Sequence, residues 1–163
     1  MNRETLEKVL RNFREMRLPI MAEQVLMMIE SNEIAHLSVE EVLIQISEEE
    51  LMSRKNNTIN RLKKEAKLSQ RNTRMEKIDY HPERKLNKSV IEQLRSNDYV
   101  TNHRNVIILG ACGTGKTYLV NASGDNSCEN FYSTYYCRLF EFLDRCSIQK
   151  NEIRALALCY SNL

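Results

Sequence analysis

At 163 residues the chain has room for one ordinary domain, or for one small and one incomplete domain, which excludes a large two-domain enzyme. A content of 42% hydrophobic and 28% charged residues is that of a globular protein with a core. No apolar run approaches the ~20 residues that span a bilayer, and MNRETLEKVLRNF mixes charge with apolar residues instead of presenting a signal peptide's apolar stretch, so a cytoplasmic chain is expected.

The net charge of +2 hides an uneven distribution. Residues 1–53 hold eleven Glu against five Lys or Arg. Residues 54–74 hold Arg54, Lys55, Arg61, Lys63, Lys64, Lys67, Arg71 and Arg74 against Glu65 alone. The first block repels polyanions and the second attracts them. The five cysteines, Cys112, Cys128, Cys137, Cys146 and Cys159, form no close C-x-x-C pair and read as buried or incidental thiols, with metal binding a minor alternative.

In chain order, Leu6, Val9, Leu10, Phe13 and Met16 form a stripe at helical spacing, with Asn2 as a candidate cap. Arg17-Leu18-Pro19 ends that helix, because proline disfavours a helical residue before it and suits the first turn of the next. The second helix runs from about Pro19 to Ser31. Ser38 and Glu41 have capping-box spacing, which starts a third helix near Val39. Its apolar face continues through Leu43, Ile46, Leu51, Ile59, Leu62 and Ala66 into the basic block, with Asn56-Asn57 the candidate break.

From Lys77 the texture changes. Ile78-Asp79-Tyr80 is strand-like, His81-Pro82 is turn-like, and a short helix with Val90, Ile91 and Leu94 follows an Asn87 cap. A boundary placed there divides the chain into a helical region, 1–75, and a second region, 76–163. Val106-Ile107-Ile108-Leu109 then reads as a short buried strand running straight into a glycine loop.

That loop is Gly110-Ala111-Cys112-Gly113-Thr114-Gly115-Lys116-Thr117, the pattern G-x-x-x-x-G-K-[ST] of a Walker A phosphate-binding loop. Glycines give the backbone the angles that turn several N–H groups inward, and a helix N-terminus behind them favours negative charge. Lys116 is placed to reach the β- and γ-phosphates of ATP and the Thr117 hydroxyl to ligate Mg²⁺. The pattern occurs by chance in a chain of this length roughly once in two hundred at average residue usage. Here three of only four glycines fall inside it and an apolar run precedes it, which leaves a ligand-free strand-to-helix turn as the weaker reading.

The sequence resembles the IstB-like ATP-binding proteins, transposition helpers related to the DnaC-type helicase loaders of the AAA+ class. The residues that carry the resemblance are Met16-Arg-Leu-Pro19 with Met21-Ala22, the acidic helix after Leu37-Ser38, the run from Arg61 to Leu68, Ile78-Asp79-Tyr80, Leu86-Asn87-Lys88, and the loop with its preceding strand. Cys128, Phe131-Tyr132-Ser133 and Arg138-Leu139 with Glu141-Phe142-Leu143 look like the family's second strand and following helix. The resemblance implies an α/β chain: an N-terminal helical region followed by an incomplete P-loop NTPase domain of AAA+ type. It further implies ATP and Mg²⁺ at residues 110–117, DNA on the N-terminal helices, a transposase as partner, and homo-oligomers among full-length relatives.

A charge run by itself reads as a solvated helix face or a basic linker, and only the resemblance turns residues 54–74 toward DNA. Walker B carboxylates, sensor residues and an arginine finger have no counterpart, so the expected chain binds ATP without hydrolysing it. The alternatives are a helicase loader and a non-catalytic remnant acting at most as a DNA-binding module. Ser123-Gly124-Asp125-Asn126-Ser127 is poor helix material and predicts a weakened helix after the loop.

Overall fold

The computed structural model describes residues 3–70, 72–81 and 86–160. It contains α1 (Arg3–Glu15), α2 (Pro19–Glu30), α3 (Val39–Glu65), α4 (Lys88–Arg95), α5 (Asp98–Thr101), α6 (Lys116–Glu129) and α7 (Leu139–Tyr160), with short 3-10 turns at Glu33–His36 and Met75–Lys77. Among the described residues no helix is long and apolar enough to cross a membrane. The chain forms two compact units, Met1–Asn60 and Arg61–Leu163. This division falls upstream of the 75/76 boundary suggested by composition, because Leu62, Ala66 and Met75 are buried in the core clusters of the second unit.

In the first unit the helix starts follow local chemistry. Arg17 takes a left-handed conformation, the Leu18 N–H donates to the Phe13 carbonyl, and Pro19 opens α2. Ser38 and Glu41 cap α3 reciprocally: the Glu41 N–H donates to the Ser38 hydroxyl at 3.2 Å and the Ser38 N–H to the Glu41 carboxylate at 2.7 Å. Those bonds hold the Glu41 carboxyl below its ordinary range. α3 runs unbroken through Asn56-Asn57. The expected Asn2 cap lies outside the described residues.

Leu18, the residue before α2, has no side-chain oxygen to offer the helix, and Glu50 of α3 takes that role. Its carboxylate accepts from the Ile20 and Met21 N–H groups at 3.1 and 3.3 Å and from Arg54 Nε at 2.8 Å. Burial alone would raise the Glu50 pKa, but the Arg54 hydrogen bond and charge and the two backbone donors outweigh it and hold the carboxyl low. Ala22, Met28 and Ile46 are the buried apolar side chains among the described residues of this unit.

The second unit is organised on α6. One cluster joins Ala122 to Met75, Ile78, Ile91 and Leu94; another joins Cys128 to Leu62 and Ala66, with Leu68 packed against it. α6 is continuous, which corrects the expectation of a weakened helix. Its helix-poor residues are spent on tertiary contacts that outweigh their low propensity. The Ser127 hydroxyl donates to Asn97 Oδ1 at 2.8 Å, Asp125 accepts from Lys63 at 2.9 Å, and Gly124 leaves the space into which Leu68 Cδ2 fits, 2.9 Å from where a β-carbon would stand.

The strands expected at 78–80 and 106–109 are not formed, and among the described residues there is no strand. Ile78 instead follows the 3-10 turn as a buried core residue, while Ile107 and Leu109 are 81% and 87% exposed. An apolar run becomes a strand only when neighbouring backbone groups pair with it, and no described segment does so here. The α/β expectation is therefore met on its helical side alone. Asn87 does cap α4, accepting from the Ser89 N–H at 3.0 Å. Pro82 of the expected turn lies outside the described residues.

Candidate phosphate-binding site

Residues 110–117 turn from the extended run into α6. Gly113 and Gly115 have φ of 79° and 86°, left-handed angles that a side chain strains. At Gly110 the constraint is space, since a β-carbon would stand 3.0 Å from Thr114 Oγ1. Thr114 Oγ1 donates to the Ala111 carbonyl at 2.9 Å, and Lys116 Nζ donates to the same oxygen at 2.5 Å. Lys116 is thereby folded back over the loop, with two further ammonium donors for an anion.

Gly115 precedes α6 and supplies no side-chain cap. The first N–H groups of this 14-residue helix thus lack side-chain partners at the positive end of its dipole, the physical requirement for binding phosphate. A cavity of about 760 Å³ opens there, lined by Gly110, Gly113, Lys116 and Lys77 and by the apolar Ile78, Leu86 and Leu119. That volume lies within the ~300–1,000 Å³ of small-molecule sites. Asp79 is the one acidic residue among the described residues lining it.

Two supports had no signal in the sequence. The Tyr118 hydroxyl donates to the Arg74 carbonyl at 3.1 Å and accepts from its N–H at 3.3 Å, tying the residue before the Met75–Lys77 turn to the helix behind the loop. Asn121, fully buried, donates to the Thr117 carbonyl at 2.7 Å and accepts from the Gln70 N–H at 3.2 Å. The Tyr118–Arg74 and Asn121–Gln70 contacts join residues far apart in the chain, which periodicity does not reveal. Cys112 is exposed on the loop and Cys128 buried in α6, its thiol pushed up chiefly by burial. Cys137 is half-buried and Cys146 exposed, and Cys159 lies where no side chain is described.

The basic residues do not form one uniform stripe. Arg54 and Lys55 belong to the first unit, where Arg54 is engaged by Glu50 and by the Arg17 carbonyl. In the second unit Arg61 pairs with Glu65 at 3.0 Å, and Lys63 bridges Asp125 and Glu129 at 2.9 and 2.8 Å. Burial would lower the Lys63 pKa, but the two carboxylates overcome it and keep the ammonium charged. Lys67 adopts a left-handed conformation past the end of α3 and lies 5.8 Å from the Tyr135 ring centroid. Lys55, Lys64 and Arg74 make no ion pair among the described residues, and Arg71 lies outside them.

Residues 11–160 match the model of a family described as IstB-like ATP binding protein. The chain is 32% identical over 112 residues to the insertion sequence IS1162 ATP-binding protein of Pseudomonas fluorescens, covering 69% of this chain and 48% of that protein. It is 26% identical over 130 residues to the insertion sequence IS5376 ATP-binding protein of Geobacillus stearothermophilus, covering 80% and 51%. With the insertion sequence IS232 ATP-binding protein of Bacillus thuringiensis it shares 23% over 152 residues, covering 93% and 60%. The chain thus spans about half the length of the first two relatives.

Proposed function

The chain belongs to the IstB-like ATP-binding proteins, and from that premise we propose that it is an ATP-binding helper of transposition that holds Mg·ATP at residues 110–117 and the DNA backbone through cations of residues 54–74, with a transposase as its partner. The observation that carries the nucleotide part is the loop itself: left-handed Gly113 and Gly115, the uncapped start of α6 and the Lys116 ammonium converge on one cavity. The N–H groups of the loop and first helical turn donate to phosphate oxygens, Lys116 supplies a positive charge, and the Thr117 hydroxyl offers the metal a ligand. When bound, Mg·ATP supplies an anhydride bond whose cleavage requires a further carboxylate near the metal.

Hydrolysis by this chain alone is not part of the proposal. Of the acids that follow the loop, Asp125 and Glu129 are committed to Lys63, while Glu141 and Asp144 stand exposed on α7. The DNA part rests on Lys55, Lys64 and Arg74, exposed cations free to displace the counterions condensed on a nucleic-acid backbone.

Filter binding of labelled ATP with and without Mg²⁺ tests the assignment of Thr117. We expect Mg²⁺ to strengthen binding to the unaltered chain and to have little effect on Thr117→Val. An equal Mg²⁺ response in both would remove Thr117 from the metal site.

A further inference from the structure

Two side chains of α6, Tyr118 and Asn121, stand about one helical turn apart on the same face and grip the chain segment that leads to the cavity. The Tyr118 hydroxyl closes on both backbone groups of Arg74, accepting from its N–H and donating to its carbonyl. Asn121 accepts from the Gln70 N–H, and its amide is oriented to do so because its other end donates to the Thr117 carbonyl. The gripped segment continues through Met75, buried in one cluster with Ala122 of α6, into Lys77, Ile78 and Asp79. These three residues line the same cavity as Gly110, Gly113 and Lys116. Tyr118 thus stands two residues after Lys116 and holds the chain three residues before Lys77, a short lever to either wall.

Resting on the reading that residues 110–117 hold the phosphates of ATP, we propose that Tyr118 is a positioning residue for the nucleoside half of that nucleotide, with Asn121 as its second anchor. The loop and Lys116 account for the phosphates. Beyond them a nucleotide is a flat base on a ribose, and the cavity offers it apolar Ile78, Leu86 and Leu119 with Lys77 and Asp79 beside Ile78. An apolar lining with a few polar groups suits such a ligand. Ile78 and its neighbours belong to a different stretch of chain from the loop, so their distance from the phosphates is set by what joins the two stretches. Binding groups contribute fully only when held to within about 0.5 Å of the productive geometry. Packing of Met75 on α6 resists separation of the segment from the helix. A phenol oxygen bonded to both the N–H and the carbonyl of Arg74 also fixes the segment's register along the helix.

Inorganic triphosphate presents the phosphates without the nucleoside, so calorimetric titration of the full chain with ATP and with inorganic triphosphate, both with Mg²⁺, tests this. Circular dichroism is the control for folding. The unaltered chain should bind ATP more tightly than triphosphate. Tyr118→Phe keeps the ring on the cavity and removes only the hydroxyl. It should weaken ATP about tenfold, the scale of a lost hydrogen bond, and change triphosphate by less than about twofold. Asn121→Leu should act in the same direction, and if it fails to fold Tyr118→Phe decides the question by itself. Gly124→Ala, a packing change farther along α6, should leave the ratio of the two affinities unaltered, which separates positioning from a general loss of stability. Equal weakening of both ligands in Tyr118→Phe, undiminished ATP binding in that variant, or the same change of ratio in Gly124→Ala would each overturn the proposal. An unaltered chain that binds ATP and triphosphate equally would overturn it while leaving the phosphate loop in place. One that binds neither would remove the nucleotide reading and the proposal with it.

Discussion

Lys63 Nζ lies 2.9 Å from the Asp125 carboxylate, and Glu129 holds the same ammonium at 2.8 Å. The bridge fastens the basic end of α3 to the far end of α6, the helix that follows the glycine loop. A cation held by the partly buried Asp125 and by Glu129 together is structural before it is available to a polyanion.

Lys63 and Lys64 should therefore behave differently although they are neighbours. Lys63→Ala leaves Asp125 and Glu129 as an unneutralised like-charge pair at i, i+4 and should cost about 1 kcal/mol of stability in urea unfolding. Lys64→Ala should be neutral in that assay, because its side chain is exposed and makes no ion pair among the described residues. In DNA titrations at several salt concentrations the order reverses: Lys64→Ala should weaken binding and reduce the salt slope by about one. Equal loss of stability in the two variants would contradict the structural role of Lys63.

Gly124→Ala separates propensity from packing. In a helix interior alanine is favoured over glycine by about 1 kcal/mol. Here the new β-carbon would stand 2.9 Å from Leu68 Cδ2 and 3.4 Å from Thr134 Cγ2, and Leu68 packs on the buried Leu62, Ala66 and Cys128. Overpacking of this kind costs ~1–3 kcal/mol, so a net destabilisation of about 1 kcal/mol is expected in chemical denaturation. A stabilised variant would show that Leu68 moves aside freely.

Glu50 predicts the acid limb of stability. Its folded-state pKa lies below the ordinary glutamate value. Its contribution is therefore fully present above that ordinary value and is lost as the pH falls through the lowered folded-state value. Glu50→Gln should cost about 1 kcal/mol near neutrality, since α2 loses a charged cap, and should flatten the fall in stability on acidification. Unfolding curves of both proteins between neutral and acid pH check this. Parallel pH profiles would assign the acid sensitivity to other carboxylates.

What the sequence made legible was local. Pro19 as a helix start, the Ser38/Glu41 capping box and the Asn87 cap each depend on residues a few positions apart, and each is found as read. The role of Glu50 as the cap of α2 was not legible, because thirty positions separate it from Ile20. The same applies to Asn121 and Tyr118, whose partners lie 51 and 44 positions away. α6 was misread because helix propensity scores Ser123, Gly124 and Ser127 without the Met75, Leu68 and Asn97 that face them. Residues 106–109 have a strand's composition without a ladder partner among the described residues, a property no local pattern contains.

The central claim is that residues 110–117 bind a nucleotide through its phosphates, and isothermal titration of ATP against the chain and its Lys116→Ala variant tests it most directly. Lys116→Ala removes the ammonium while leaving Gly113, Gly115 and the α6 N-terminus in place, so circular dichroism should be unchanged. The account predicts saturable binding of ATP in the presence of Mg²⁺ by the unaltered chain, and a loss of at least ~100-fold in the variant, as expected for removing a charge-assisted contact to phosphate. Equal affinity in the two proteins, or no binding by a folded unaltered chain, would contradict it.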